Sequence, residues 1–220
     1  CPMSLEEATI ADVEVLECPY PTYDFLRENA PVFLDPRTGI YVVTKYADQR
    51  RIALDYENFS NFRPSNDVEN LSGIARKVYL RFKANGYVPG ASLAARDDPE
   101  HKQMRAIFEQ AFRPKRIKEM DEQVAKLAYE LIGAFVDDGK CELVSQYAVP
   151  LPLIIICRQM GANMDDVWQI KAWTDAWIKG ISLGINEADK LHFTDIEIQA
   201  QHYFQALFEA LRERPNDTLL

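Results

Sequence analysis

Cysteine and histidine are scarce in this sequence: its 220 residues include 4 cysteines and 3 histidines. Cys1, Cys18, Cys141 and Cys157 are too few for a disulfide framework, and no pair has the C-x-x-C spacing of a zinc or redox site. Reduced thiols are the expectation, with Cys141 and Cys157 read as small buried hydrophobes. His192 and His202 lack ligand-like spacing, so no metal site is expected from this chain. Positive charge is short as well. Against 34 Asp and Glu stand 25 Lys and Arg, giving a net charge of -9 and a pI near 4.9. Nucleic-acid binders concentrate positive charge to track phosphates, which excludes DNA and RNA as partners. Long apolar runs are also missing. The longest, "YAVPLPLIIIC" from Tyr147 to Cys157, is too short to span a bilayer and carries two prolines. The start, "CPMSLEEATIADVEVLE", is acidic and lacks a charged region followed by an apolar one, so neither signal peptide nor anchor is expected. A cytoplasmic protein is the resulting expectation.

What is present suits a folded chain: 47% hydrophobic, 11% aromatic and 27% charged residues can bury a substantial core. No repeat or low-complexity linker divides it, so residues 1–220 read as one domain. "YPTYDFLRENA" predicts a short helix opened by Pro21. "PVFLDPRTGIYVVTKY" predicts a hairpin, because two β-prone runs flank a turn-rich "DPRTG". "ADQRRIALDYENFS" returns to a helical pattern. From Arg63 to Arg96 the pattern weakens, and a long, partly irregular connection is expected. "PKRIKEMDEQVAKLAYELIGAFVDDG" predicts one amphipathic helix, with Ile117, Met120, Val124, Leu127, Leu131 and Phe135 on a stripe and Gly139 past its end. "CELVSQYAVPLPLIIICRQMG" reads as a short strand, then a helix apolar nearly all round. Two further helices follow, the first capped by Asp165 or Asp166, the second stopped by Pro215. The fold class is mainly α with a small β-sheet, about half helix and a tenth strand.

The stretch "DDPEHKQMRAIFEQAF", Asp97 to Phe112, carries the chemistry. Asp98 is a good N-cap and Pro99 suits the first helical position, so a helix is expected from about Pro99. His101, Arg105, Phe108 and Phe112 then follow at spacings of four, three and four and project in roughly one direction. An Arg one turn from a protonated His gains nothing from it. An anion between the two would make sense of the pair. A solvated helix start, with both Phe packed in a core, accounts for the same spacing.

Taken in order, the segments "GIYVVTKYADQRRIALDYENFSN", "DDPEHKQMRAIFEQAFRPKRI" and "DDGKCELVSQYAVPLPLIIICRQMG" resemble the N-terminal half of a soluble bacterial cytochrome P-450, the haem-thiolate monooxygenases, of the camphor-hydroxylase type. The resemblance covers much of Tyr20 to Gly161. It implies the cytochrome P-450 fold in its N-terminal portion and haem b as cofactor. The positions of His101 and Arg105 would hold a haem propionate, with Phe108 and Phe112 beside the ring. A propionate on the edge of an apolar disc needs donors adjoining hydrophobic side chains, as this helix supplies. The family's F-x-x-G-x-x-x-C-x-G ligand loop is absent from these 220 residues, as are the Gly-rich, Thr-containing oxygen-activating helix and the E-x-x-R pair. The iron-ligating Cys is expected beyond residue 220. These residues alone are expected to be inactive.

For the complete protein the resemblance implies insertion of one atom of O2 into an apolar organic substrate. Electrons would come from NAD(P)H through a reductase and a ferredoxin-type donor. By position in the family, Phe82, Tyr87, Val88, Leu93, Trp177, Ile181 and Leu183 are nominated for the substrate cavity's roof, with simple core packing the alternative for each. Lys102, Arg113, Lys115 and Arg116 form a basic patch where the electron donor would dock, or else a solvated helix face. A non-catalytic helical scaffold or ligand-binding fragment of the same ancestry remains the rival reading of the chain.

Overall fold

In the computed structural model, the described residues are 4–61, 71–182, 185–215 and 218. They fall into two compact units, one formed by residues 4–61 with 94–97, the other by the remaining described residues. Helix makes up 67% of the described residues, more than the sequence suggests, and strand less.

The first unit runs α1 (Val13–Glu17), α2 (Tyr20–Asn29), β1 (Val32–Leu34), β2 (Tyr41–Val43) and α3 (Tyr46–Leu54). Its strands pair antiparallel as the turn chemistry predicts, with Val32 opposite Val43 and Leu34 opposite Tyr41. Asp35 organises the turn and the chain before it. Its carboxylate accepts from the backbone of Arg37 at 2.9 Å and Thr38 at 3.0 Å, and from Ile10 N–H at 2.6 Å and the Thr9 hydroxyl at 2.9 Å. Gly39, at φ +67, closes the loop by donating to the Asp35 carbonyl at 2.8 Å; only a residue tolerant of positive φ fits there. Ala8, Leu26 and Phe33 form the small core beneath.

The second unit is helical: α4 (Gly73–Asn85), α5 (Glu100–Ala111), α6 (Pro114–Glu119), α7 (Asp121–Gly133), α8 (Pro150–Met160), α9 (Val167–Gly180) and α10 (Glu187–Glu213). Cys157, Ala162, Val167, Ile170 and Trp173 form its core, against which Tyr203 and Phe204 of α10 pack. The Trp173 ring lies 5.0 Å from that of Tyr203 and 6.4 Å from that of Phe204, within the range of favourable aromatic pairs. Asn186 caps α10 through the Asp189 N–H at 2.8 Å.

Several expectations are corrected. The weak region between Arg63 and Arg96 contains α4, a 13-residue helix; its partners are distant in sequence. Lys77 reaches Glu187 at 2.5 Å, and Arg81 makes two parallel bonds of 2.5 Å to Asp195. The single amphipathic helix is two, α6 and α7, sharing Met120 as boundary; Met120 N–H turns back to Ile117 at 3.0 Å, a tighter helical step. No strand follows Cys141. The Glu142 carboxylate instead accepts from the N–H groups of Val144 and Ser145 at 3.2 and 2.6 Å, which starts a π-helical turn over Val144–Ala148 leading into α8. Those bonds hold the Glu142 carboxyl below its ordinary range, the Ser145 hydroxyl and backbone first. Cys141 is exposed, whereas Cys157 is fully buried and its thiol is pushed up by that burial. Asp166 occupies the N-cap position of α9 without a side-chain capping bond; Asn163 accepts from Asp165 N–H instead. Among the described residues no helix is long and apolar enough to cross a membrane.

Asp35 is fully buried. Burial alone would raise its carboxyl, but the N–H groups of Ile10, Thr38 and Arg37, with the Thr9 hydroxyl, outweigh this and hold it below the ordinary value. Because the folded value is the lower one, its stabilisation is present above the unfolded value and is lost as pH falls through the folded one. Asp35→Ala should destabilise the hairpin by about 3 kcal/mol, seen as faster amide exchange over residues 32–43. Unchanged protection would show that the turn holds itself.

Candidate functional site

Helix α5 begins at Glu100 with Pro99 as its cap position, one residue later than the sequence suggests, and Asp98 makes no capping bond there. Its carboxylate turns onto the helix face. One oxygen lies 2.6 Å from Lys102 Nζ and the other 3.5 Å from His101 Nδ1. The hydrogen bond from Lys102 holds the Asp98 carboxyl below its ordinary range; burial opposes it and His101 adds a lesser lowering. With Asp98 on Nδ1, the Nε2 edge of His101 is left to face a ligand.

One turn on, Arg105 Nε donates to Glu109 at 2.8 Å, using one of the five N–H donors of its guanidinium. Phe108 and Phe112 follow, at 52% and 50% exposure. Neither is packed in a core. A half-buried His, an exposed Arg and two uncovered Phe thus follow one another along α5, and this donor chemistry fits an anionic group attached to a flat apolar body.

A second feature is an apolar trough of 750 Å³ between α8, α9, α10 and the segment after α4, within the size range of ligand pockets. Leu153, Ile156 and Met160 of α8 face Ile170, Trp173 and Trp177 of α9 and Phe204 and Phe208 of α10 across it. Of the residues nominated for a substrate roof, Tyr87 and Trp177 line the trough. Phe82 is buried in the α4 face, Val88 is exposed beside Tyr87, Leu93 is half-buried at the start of a 3-10 turn and Ile181 is exposed just past α9. Leu183 lies outside the described residues.

Most of the remaining trough residues recur at spacings of three and four, each set on its own helix. Nothing local indicates that three stripes share one hollow. The Tyr87 wall is pinned by Gln201 of α10, whose side-chain amide donates to the Tyr87 carbonyl and accepts from its N–H, both at 2.8 Å. His202 Nε2 adds a contact of 2.7 Å to the Asn85 carbonyl. Gly86 permits this approach: a Cβ there would stand 2.5 Å from the Gln201 oxygen and 3.1 Å from Ile198.

The basic residues divide. Arg113, Lys115 and Arg116 border one polar groove of 350 Å³ with Glu119, while Lys102 is held by Asp98. Lys115 lies 3.9 Å from Glu119, and Arg116 reaches the Thr218 carbonyl at 3.4 Å. Among the described residues no group of three or more His, Cys, Asp or Glu could hold a metal ion.

No protein-family model matches the chain. It is similar over 205 residues, at 26% identity, to the putative cytochrome P-450 YjiB of Bacillus subtilis, an alignment covering 92% of this chain and 47% of that protein. It is 27% identical over 207 residues to cytochrome P-450(MEG) of Priestia megaterium, covering 92% and 47%. Among solved structures it superposes on cytochrome P-450 CREJ in complex with (4-ethylphenyl) dihydrogen phosphate with a TM-score of 0.84 and 24% identity, over 98% of this chain and 52% of that one. The chain spans about half the length of the curated relatives it matches. Its fold is mainly α with a small sheet and matches cytochrome P-450 structures over about half their length, and the sequence resembles the N-terminal half of the bacterial members.

Gln201→Ala should release residues 85–89 from α10, raising amide exchange at Tyr87 by about tenfold for each 1.4 kcal/mol lost, with α9 unaffected. Equal exchange in both proteins would show that the Lys77 and Arg81 ion pairs alone fix this wall.

Proposed function

We propose that this chain is part of a haem-dependent monooxygenase that inserts one oxygen atom of O2 into an apolar organic substrate. The observation that carries the reading is the face of α5, where His101 and Arg105 adjoin two uncovered Phe in a chain whose relatives are cytochromes P-450. A bound haem would supply oxygen activation at its iron. Arg105 and the Nε2 edge of His101 hold a propionate, and Phe108 and Phe112 cover the adjoining part of the ring. Asp98 keeps the imidazole turned so that Nε2 is presented outward. Glu109 stiffens Arg105 from the far side, so less side-chain freedom is lost when a propionate binds.

In this reading the substrate lies along the trough, held by burial against Trp177, Tyr87 and the Phe pair of α10, with water excluded from the apolar walls. Val88, Leu93, Phe82 and Ile181 support or extend that wall. Arg113, Lys115 and Arg116, with Lys102, present positive charge on an acidic chain, suited to an acidic ferredoxin-type donor fed by an NAD(P)H-dependent reductase. Both structural units belong to one undivided domain of a cytoplasmic protein.

In the full-length protein, Arg105→Ala should weaken haem retention about tenfold or more, since a charge-assisted bond is worth about 1.5–3 kcal/mol net. Lys102→Ala should do less, because Lys102 projects about 100° from His101 and already serves Asp98. Haem content after gel filtration measures both. Equal occupancy in the two variants would remove the propionate assignment.

A further inference from the structure

Fifteen described residues line the trough, and one of these carries a charge: Glu197, midway along α10. It is half-buried, and its carboxylate lies against Gly180 at the end of α9, where a Cβ would meet Oε1 at 3.1 Å. Lys190 stands two turns earlier on α10. Its ammonium acts on Glu197 through space but is committed to the Gly180 carbonyl at 2.7 Å. Glu197 itself accepts no hydrogen bond from the described residues. Burial raises its carboxyl above the ordinary value, and Lys190 only partly opposes this. A carboxylate placed on an apolar wall without a donor is costly, and a ligand that brings a donor removes that cost.

We propose that Glu197 is the polar anchor of the trough, accepting a charge-assisted hydrogen bond from a protonated amino or guanidino group on an otherwise apolar ligand. The inference rests on the substrate reading of the trough and narrows it: the ligand is an apolar cation, its hydrocarbon body against Trp177, Phe204 and Phe208 and its charged end toward Gly180. Neutral hydrocarbons of the same shape fill the walls but leave the carboxylate unpaired, so the site discriminates by charge rather than by size.

The test is calorimetric titration of the full-length, haem-loaded protein with octylguanidinium and with dibutyl ether, an apolar body of similar size that has no hydrogen-bond donor. Guanidinium stays protonated and does not ligate iron. The expected result is about tenfold tighter binding of octylguanidinium, equivalent to about 1.4 kcal/mol, and loss of that preference in Glu197→Gln with dibutyl ether affinity unchanged. Unchanged dibutyl ether binding also shows that the variant is folded. Equal affinity of the two probes for the unmodified protein, or a preference that survives in Glu197→Gln, overturns the anchor while leaving the trough as an apolar substrate wall. Failure of both probes to bind overturns the substrate reading itself and the anchor with it.

Discussion

The arrangement of the larger unit depends on α10 being gripped from two sides at once. Toward α9 it presents Ile196, Ala200, Tyr203 and Phe204, and Trp173 inserts its indole among them. Toward α4 it presents Glu187, Asp195, Gln201 and His202, which bond to Lys77, Arg81, Tyr87 and Asn85. One side is dispersion and burial, the other charge and hydrogen bonding. The trough lies between the two grips, with Tyr87 and Gln201 on one side and Trp173 and Trp177 on the other. The indole N–H of Trp173 has no partner among the described residues despite its burial, a cost accepted for the ring's place in that packing.

Charge is distributed by the same logic of distance. The bidentate Arg81 pair lowers the Asp195 carboxyl below its ordinary value, the hydrogen bond to Arg81 being the largest cause, yet both side chains remain substantially exposed. Such a pair adds little to stability on its own. Its geometric content is greater, because two parallel bonds fix the rotation of α4 about its axis as well as its distance. The α5 face shows the complementary case. There the acid partners, Asp98 and Glu109, are local, and they set the posture of single side chains rather than the placement of helices.

How much of this was legible in the sequence depends on where the determining partner lies. The hairpin was, because Asp35, Pro36 and Gly39 carry the turn chemistry within five residues. The final helix was also legible, through its stripe and Pro215. Helix α4 was not, since its apolar positions are interrupted by Arg76, Lys77, Arg81 and Lys83 and its anchors sit more than 100 residues away. The misread strand after Cys141 has a local signal that could have been used: a Glu two and three residues ahead of free N–H groups can start a helix. For the trough, Phe193, Glu197, Phe204 and Phe208 share one side of α10 by spacing, and an acid among aromatics was the available sign. That α8 and α9 stripes meet it is tertiary information.

The π turn at Val144–Ala148 acts on α8 as a rotational offset. Val149 N–H returns to Val144, five residues back, at 2.9 Å, and Pro150 and Pro152 then bring no N–H of their own. Accommodating one residue more than an α turn shifts the azimuth of everything downstream by about 100°. With that shift, Leu153, Ile156 and Met160 point into the hollow while Cys157 points to the core. A continuous α-helix through the same residues would bring a different edge of α8 to the hollow. The wall that a ligand would meet is therefore specified partly by a winding defect ahead of the helix, outside the wall itself.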